Sequence, residues 1–288
     1  MKLSDFSKLI KFRLTFLVVF SASISFLIGS KVNGVIEWKS WGMLIAGGFL
    51  VTAAANCFNE MIEKDLDKLM KRTADRPLPS GRMMTGQALV LGLLMGISGT
   101  AMLFNLNPTA GYLAIFSIFL YAFAYTPLKR KSPIAVFVGA IPGALPPLIG
   151  YVAAHPKIDE IALVLFGIQF VWQFPHFWAI AWVLDDDYKL AGFRLLPTGK
   201  RNLVSAIITF IITVILVPVS LLPTFMGFGG YVIGGVSLIS SLLFLYLAFN
   251  LMRTLEIQSA KKLMYGSFFY LPLVQLVLLF DFMGKIKS

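Results

Sequence analysis

The feature that most constrains this chain is the recurrence, along its whole length, of apolar runs as long as a lipid bilayer is thick. Nine such runs are marked at roughly 12–30, 41–60, 86–105, 109–127, 133–153, 159–183, 203–222, 229–250 and 265–283. A helix needs about 20 mostly apolar residues to cross the hydrocarbon core, and these runs meet that length with only short polar connections between them. Charged residues make up 14% of the 288, against about 25% in ordinary soluble domains, and the mean hydropathy is +0.81. The expected fold is all-α: a polytopic membrane protein, residues 1–288 forming one transmembrane domain of nine spanning helices. Gly and Pro interrupt several runs, which spanning helices tolerate when their neighbours satisfy the freed backbone groups.

A formal charge of +11 raises the question of a nucleic-acid partner. The distribution of the charge answers it, because the basic residues gather in short segments between apolar runs, where Lys and Arg set membrane orientation. With nine spans, 20 of the 25 Lys and Arg residues fall on one side; the other side holds Lys31, Lys39, Lys157, Lys285 and Lys287. This predicts a cytoplasmic N-terminus, an external C-terminus, the lipid bilayer as the partner and no nucleic acid. A single cysteine, Cys57, excludes an intrachain disulfide and any multi-cysteine metal site. The run from Phe12 to Gly29 lacks a small-residue cleavage pattern and reads as a retained first helix. The absence of an Arg- and Ser-rich transit peptide points to a plasma membrane.

Two polar segments on the basic side, 59–85 and 185–202, are longer than the rest. In the first, Asn59, Glu63 and Asp67 recur every four residues and form one stripe on a helix, drifting roughly 40° per step. Three oxygen-bearing side chains on one stripe suit a hard cation such as Mg²⁺, which takes one or two carboxylates and completes its shell with water and substrate phosphates. Lys64, Lys68 and Arg72 follow the same spacing on a neighbouring stripe, where they would meet phosphate oxygens. The competing reading is an interfacial helix laced with i, i+4 ion pairs; the amide of Asn59 at the head of the stripe is not needed for lacing.

The second segment opens with Asp185-Asp186-Asp187. Three successive carboxylates repel one another, and opposing cations, a second metal among them, would relieve the repulsion. If the preceding helix continues without a break, His176 and Asp187 lie within about 20° of each other on one face. An ionisable side chain inside a span is a functional candidate; the alternative for His176 is a neutral hydrogen bond to a neighbouring helix. Two acidic segments facing each other at the top of an apolar bundle suit a substrate with a diphosphate head and a long hydrocarbon tail. The chain shows neither a glycine-rich phosphate loop nor a Ser-His-Asp arrangement, so such a site would work through electrostatics.

Asn59-x3-Glu63-x3-Asp67, followed by Arg72-Thr-Ala-Asp-Arg-Pro-Leu-Pro79, resembles the first aspartate-rich motif of the UbiA superfamily of intramembrane prenyltransferases. Tyr125-Thr-Pro-Leu-Lys-Arg130, Gly143-Ala-Leu-Pro-Pro147 with Gly150, Phe174-Pro-His-Phe-Trp178, and Asp187-Tyr188 with Ala191-Gly192 and Leu196-Pro197 are similar to its haem O synthase branch. The resemblance spans roughly residues 10–280. One departure stands out: the second motif is commonly Asp-x3-Asp, and here Ala191 follows Asp187, leaving Asp186 as a further candidate beside Asp187.

The resemblance implies transfer of a farnesyl group from farnesyl diphosphate to a vinyl group of haem b, with Mg²⁺ as cofactor. It implies Asn59, Glu63, Asp67, Asp186 and Asp187 as metal ligands and Lys68, Arg72, Arg76, Lys129 and Arg130 around the diphosphate. His176, Tyr125, Trp172 and Tyr188 are expected on the acceptor side, with His176 ligating iron or orienting water or a propionate. The active site is expected on the cytoplasmic face of the plasma membrane, with a haem A synthase or a terminal-oxidase assembly as a partner. A UbiA-type enzyme using an aromatic or quinone-precursor acceptor would keep both acidic segments without needing the haem-branch motifs.

Overall fold

The computed structural model describes residues 2–284, so Lys285 and Lys287 of the charge count lie outside the described residues. A short helix α1 (Leu3–Leu9) precedes α2 (Phe12–Val32), α3 (Trp38–Asp67), α4 (Thr85–Leu106) and α5 (Pro108–Phe119). α5 runs on as a π-helical turn, Leu120–Tyr125, into α6 (Thr126–Leu128). Then come α7 (Ala135–Ala154), α8 (Glu160–Val183), the short α9 (Asp185–Leu190), α10 (Leu203–Phe225), α11 (Tyr231–Thr254) and α12 (Ile257–Gly284). Among the described residues nine helical segments are long and apolar enough to cross a membrane, taking Pro108–Leu128 as one, as the apolar runs predict. Two bounds differ: the second span continues to Asp67 and the last begins at Ile257. Asn59, Glu63 and Asp67 therefore sit on a helix, as their four-residue spacing predicts, and the irregular segment starts only after Asp67.

α7 and α8 form the middle of the bundle, with 78% and 61% of their most apolar stretches buried. α2, α3 and α5 pack on the α7 side and α10 and α12 on the α8 side, while α12 also meets α2. Without a hydrophobic drive between helices inside lipid, close approach through small residues supplies the packing. A Cβ on Gly150 of α7 would collide with the carbonyl of Ala22 on α2, and one on Gly99 of α4 would lie 2.8 Å from the carbonyl of Gly47 on α3.

α7 carries three internal prolines, Pro142, Pro146 and Pro147. A proline nitrogen cannot donate to the carbonyl four residues back, so Pro147 leaves the Gly143 oxygen without its helical partner. Gln169 of α8 takes it over, Nε2 to O at 2.7 Å. The amide oxygen of Gln169 then accepts from Ser21 of α2 (2.7 Å) and Gln275 of α12 (2.9 Å). Four helices are thus tied by one buried polar cluster that exists because α7 needs its backbone satisfied.

Both irregular segments lie at one end of the bundle with α1. Lys8 pairs with Asp75 at 2.6 Å and Arg82 with Asp5 at 3.0 Å, docking α1 on the first segment. At the opposite end Asn33 donates to the carbonyl of Ala154 at 2.6 Å.

Candidate active site

α3 presents Asn59, Glu63 and Asp67 as one buried stripe, each at most 3% exposed. Each meets a cation from elsewhere. Lys11 donates to Asn59 Oδ1 at 2.6 Å. Lys129 Nζ lies between both Glu63 oxygens, at 2.8 and 3.0 Å. Arg76 donates to Asp67 Oδ2 at 2.7 Å. Asn59 Nδ2 completes the row by donating to Glu63 and to the hydroxyl of Thr126, both at 2.9 Å.

These cations respond to their setting. Burial, joined by the charges of Arg76 and Lys129, brings the Lys11 ammonium down to about 7, against the pull of Glu63 and Glu60. Burial opposes the charge on Lys129 as well, but Glu63 outweighs it and the ammonium is held above its ordinary value. Lys129 also faces the rings of Tyr125 and Phe193, at 4.7 and 5.4 Å from their centroids. The π-helical turn that delivers Tyr121, Tyr125 and Thr126 is of a kind that gathers at functional sites.

The second segment departs from the expected continuous helix. α8 ends at Leu184 (φ −100°, ψ 11°), and the chain restarts as α9, whose first turn holds the three aspartates. A helix N-terminus favours negative charge, which gives Asp185–Asp187 a reason to begin a new helix rather than end an old one. His176 and Asp187 are consequently not on one helix face. Lys189 and Arg201 relieve the aspartate repulsion: Asp185 pairs with Lys189 at 2.6 Å, and Asp186, 76% exposed, pairs with Arg201 at 3.1 Å.

Asp187 alone turns to the first segment, where its Oδ1 accepts from the backbone N–H of Lys71 at 2.9 Å. Met70, Ala191 and Phe193, with Leu66, Tyr188 and Leu195, form a small apolar cluster that clamps the two segments together. Beside the clamp, Asp67 Oδ1 and Asp187 Oδ2 are sealed without a hydrogen-bond partner among the described residues, as are both oxygens of Glu60 on α3. Buried anionic oxygens without partners are costly, and the Asp67 and Asp187 oxygens fit a cation that arrives with substrate. Among the described residues no three His, Cys, Asp or Glu side chains form a metal site by themselves. That donor set suits Mg²⁺, whose shell is completed by phosphate and water.

Other expected residues fall elsewhere. Lys68 is exposed and pairs with Asp65 at 3.0 Å; Arg72 and Arg130 are exposed. Tyr188 belongs to the clamp. Lys11, Thr126 and Glu60 were not singled out by sequence reasoning. Lys11 lies 48 positions from Asn59, and no spacing rule links residues so far apart.

Directly below the stripe, a cavity of about 530 Å³ extends between α2, α3, α7, α8 and α12. Asn56, Tyr121, Tyr125, Trp172 and His176 supply its few polar groups near the site, and aliphatic and aromatic side chains line most of the rest. Leu14 and Leu17 of α2 and Phe268 of α12 also line it while 46%, 51% and 44% exposed. The cavity therefore opens sideways between those helices.

Residues 18–273 match the model of the UbiA prenyltransferase family. The chain belongs to that family. It is 44% identical over 276 residues to the protoheme IX farnesyltransferase of Cytophaga hutchinsonii, covering 95% of this chain and 96% of the relative. It is 43% identical to the protein of the same name from Christiangramia forsetii, over 97% and 93% of the two chains. Among solved structures, a digeranylgeranylglyceryl phosphate synthase superposes with a TM-score of 0.82 at 21% identity, over 98% of both chains. A UbiA homologue from Archaeoglobus fulgidus bound to DMAPP and Mg²⁺ superposes with a TM-score of 0.71 at 13% identity, over 97% and 99%. At those identities the shared property is the UbiA fold, with its arrangement of spanning helices.

Proposed function

We propose that this UbiA-family enzyme joins the farnesyl group of farnesyl diphosphate to a vinyl group of haem b, forming haem O and releasing diphosphate. The observation that carries the reading is the pair of partnerless, sealed oxygens of Asp67 and Asp187 above an apolar cavity, in a chain whose full-length relatives are protoheme IX farnesyltransferases.

In this reading Asn59, Glu63, Asp67 and Asp187 would hold Mg²⁺ together with the diphosphate. The metal, when bound, supplies Lewis-acid stabilisation of the departing negative charge. Lys11, Arg76 and Lys129 already stand against the stripe and shift their hydrogen bonds toward phosphate oxygens as the C–O bond lengthens. The cavity keeps bulk water from the allylic cation, and the π faces of Tyr125 and Trp172 favour positive charge near them. The vinyl carbon attacks C1 of the farnesyl group, and a water adds to the resulting cation beside the porphyrin, its proton leaving with the released diphosphate. Arg72 and Arg130 act at the rim as steering charges for the incoming diphosphate.

The charge asymmetry of the connecting segments supports a cytoplasmic N-terminus and, with it, the reading of a site on the cytoplasmic face of the plasma membrane. A product with both a porphyrin and a farnesyl tail stays in the bilayer, which favours hand-over to a membrane-bound haem A synthase or oxidase assembly.

The test is incubation of the purified protein with labelled farnesyl diphosphate and haem b, with Mg²⁺ and with EDTA. Label in a haem product only with Mg²⁺ is the expected result. Label transferred to a quinone precursor and not to haem would overturn the acceptor assignment.

A further inference from the structure

His176 lies on α8 seven residues before its last residue, Val183, about 10 Å from the helix end at 1.5 Å per residue. It lines the cavity, its ring stacks on Trp172 (centroids 4.4 Å apart, planes at 17°), and Phe268 meets it edge-on at 5.3 Å. Phe268 is one of the exposed residues at the sideways opening, so the imidazole stands just inside the place where a flat molecule would enter from the bilayer.

The hydrogen bonds fix which ring nitrogen is free. His176 Nδ1 is 2.7 Å from Ser267 Oγ on α12. The Ser267 hydroxyl hydrogen is committed to the carbonyl of Met264, at 2.5 Å, so the serine oxygen must accept and Nδ1 must carry the proton. Trp172 donates its indole N–H to the Ser267 carbonyl at 3.2 Å, holding the same stretch of α12 against the ring. An uncharged imidazole protonated at Nδ1 has its lone pair on Nε2. Among the described residues Nε2 has no hydrogen-bond partner, and it is not one of the sealed, partnerless atoms, so it looks into accessible space. An imidazole held through one N–H, with the other nitrogen bare, is how proteins prepare a metal-ligating histidine.

We propose that His176 Nε2 is an axial ligand of the iron of the acceptor haem, with Ser267 and Trp172 as positioning residues that set its tautomer and ring plane. The proposal rests on the reading of haem as the acceptor. Ligation forms a dative bond from the Nε2 lone pair to iron, with no change of oxidation state and no proton released. It anchors the porphyrin by its centre, leaving a peripheral vinyl group to reach toward the diphosphate end of the cavity. A plain helix–helix hydrogen bond between His176 and Ser267 would need neither the bare Nε2 nor its place beside the opening.

The experiment titrates haem b into the purified full chain in detergent and records absorption and resonance Raman spectra, alongside the farnesyl-transfer assay. Wild type is expected to show an imidazole-ligated haem. His176→Gly is expected to lose that signature and regain it with added imidazole. Ser267→Ala is expected to keep the ligand but bind haem about 10-fold or more weakly, with a shifted iron–histidine vibration. Transfer to haem by wild type, combined with an identical bound-haem spectrum in His176→Gly or loss of the signature without imidazole rescue, would overturn ligation while leaving the reaction standing. Failure of wild type to farnesylate haem would remove the underlying reading instead.

Discussion

The two acidic segments, with five and three carboxylates, are wired in different ways. On α3 the side chains of Asn59, Glu63 and Asp67 ride an unbroken helix; Lys11 and Lys129 come to Asn59 and Glu63 from 48 and 66 positions away, while Arg76, nine positions on, takes Asp67. At the second segment the helix breaks at Leu184, and Lys189 and Arg201, both close in sequence, neutralise Asp185 and Asp186. Only Asp187 reaches across to the first segment. A run of aspartates is therefore a poor guide to how many of them do chemistry. The informative quantity is which oxygens remain without a partner once local cations have been satisfied: Asp67 Oδ1 and both Glu60 oxygens in the first segment, and Asp187 Oδ2 in the second.

Substitutions divide along that line. Asp67→Ala and Asp187→Ala are each expected to lower farnesyl transfer by about a hundred- to a thousandfold, as for loss of a group that stabilises developing charge, with the helical circular-dichroism signal retained. Near-normal turnover in either variant would break the symmetry between the segments. Lys129→Met removes the partner of a buried carboxylate. It is expected to cost about 3–5 kcal/mol, as breaking one side of a buried pair does, read as earlier thermal unfolding in detergent together with lost activity.

Tyr188→Ala loosens the apolar clamp between the segments. A several-fold rise in KM for the prenyl diphosphate with kcat changed less is expected from steady-state assays. Asp186→Asn breaks an exposed pair of the kind worth about 0–1 kcal/mol, so turnover and unfolding temperature are expected to stay close to wild type. A large loss in Asp186→Asn would show that Arg201 does not hold this carboxylate out of the chemistry.

Much of this architecture is legible in the amino-acid order because it is periodic or compositional. The spanning helices follow from apolar length, and the α3 stripe from four-residue spacing on a helix. What stayed hidden depends on tertiary partners. Lys11 reads as an ordinary basic residue flanking a span, and only the packing of α2 on α3 brings it to Asn59. The break at Leu184 is unmarked by Gly or Pro. Its cause lies in the acids that follow, which do better at the start of a helix than at the end of one. Lys68 repeats with the phosphate-facing spacing yet pairs with Asp65 three residues away, because helical spacing fixes a side chain's face but not its partner. Ser267 carries no motif at all, and its role appears only once α12 lies against α8.

The direct test of convergence is a calorimetric double-mutant cycle for Mg²⁺-dependent binding of a non-reactive farnesyl thiolodiphosphate to wild type, Asp67→Asn, Asp187→Asn and the double variant. If both oxygens grip one metal–diphosphate unit, each single change removes most of the Mg²⁺-dependent affinity and the double variant loses little more. Full Mg²⁺-dependent binding by Asp187→Asn, or strictly additive losses, would contradict a shared site.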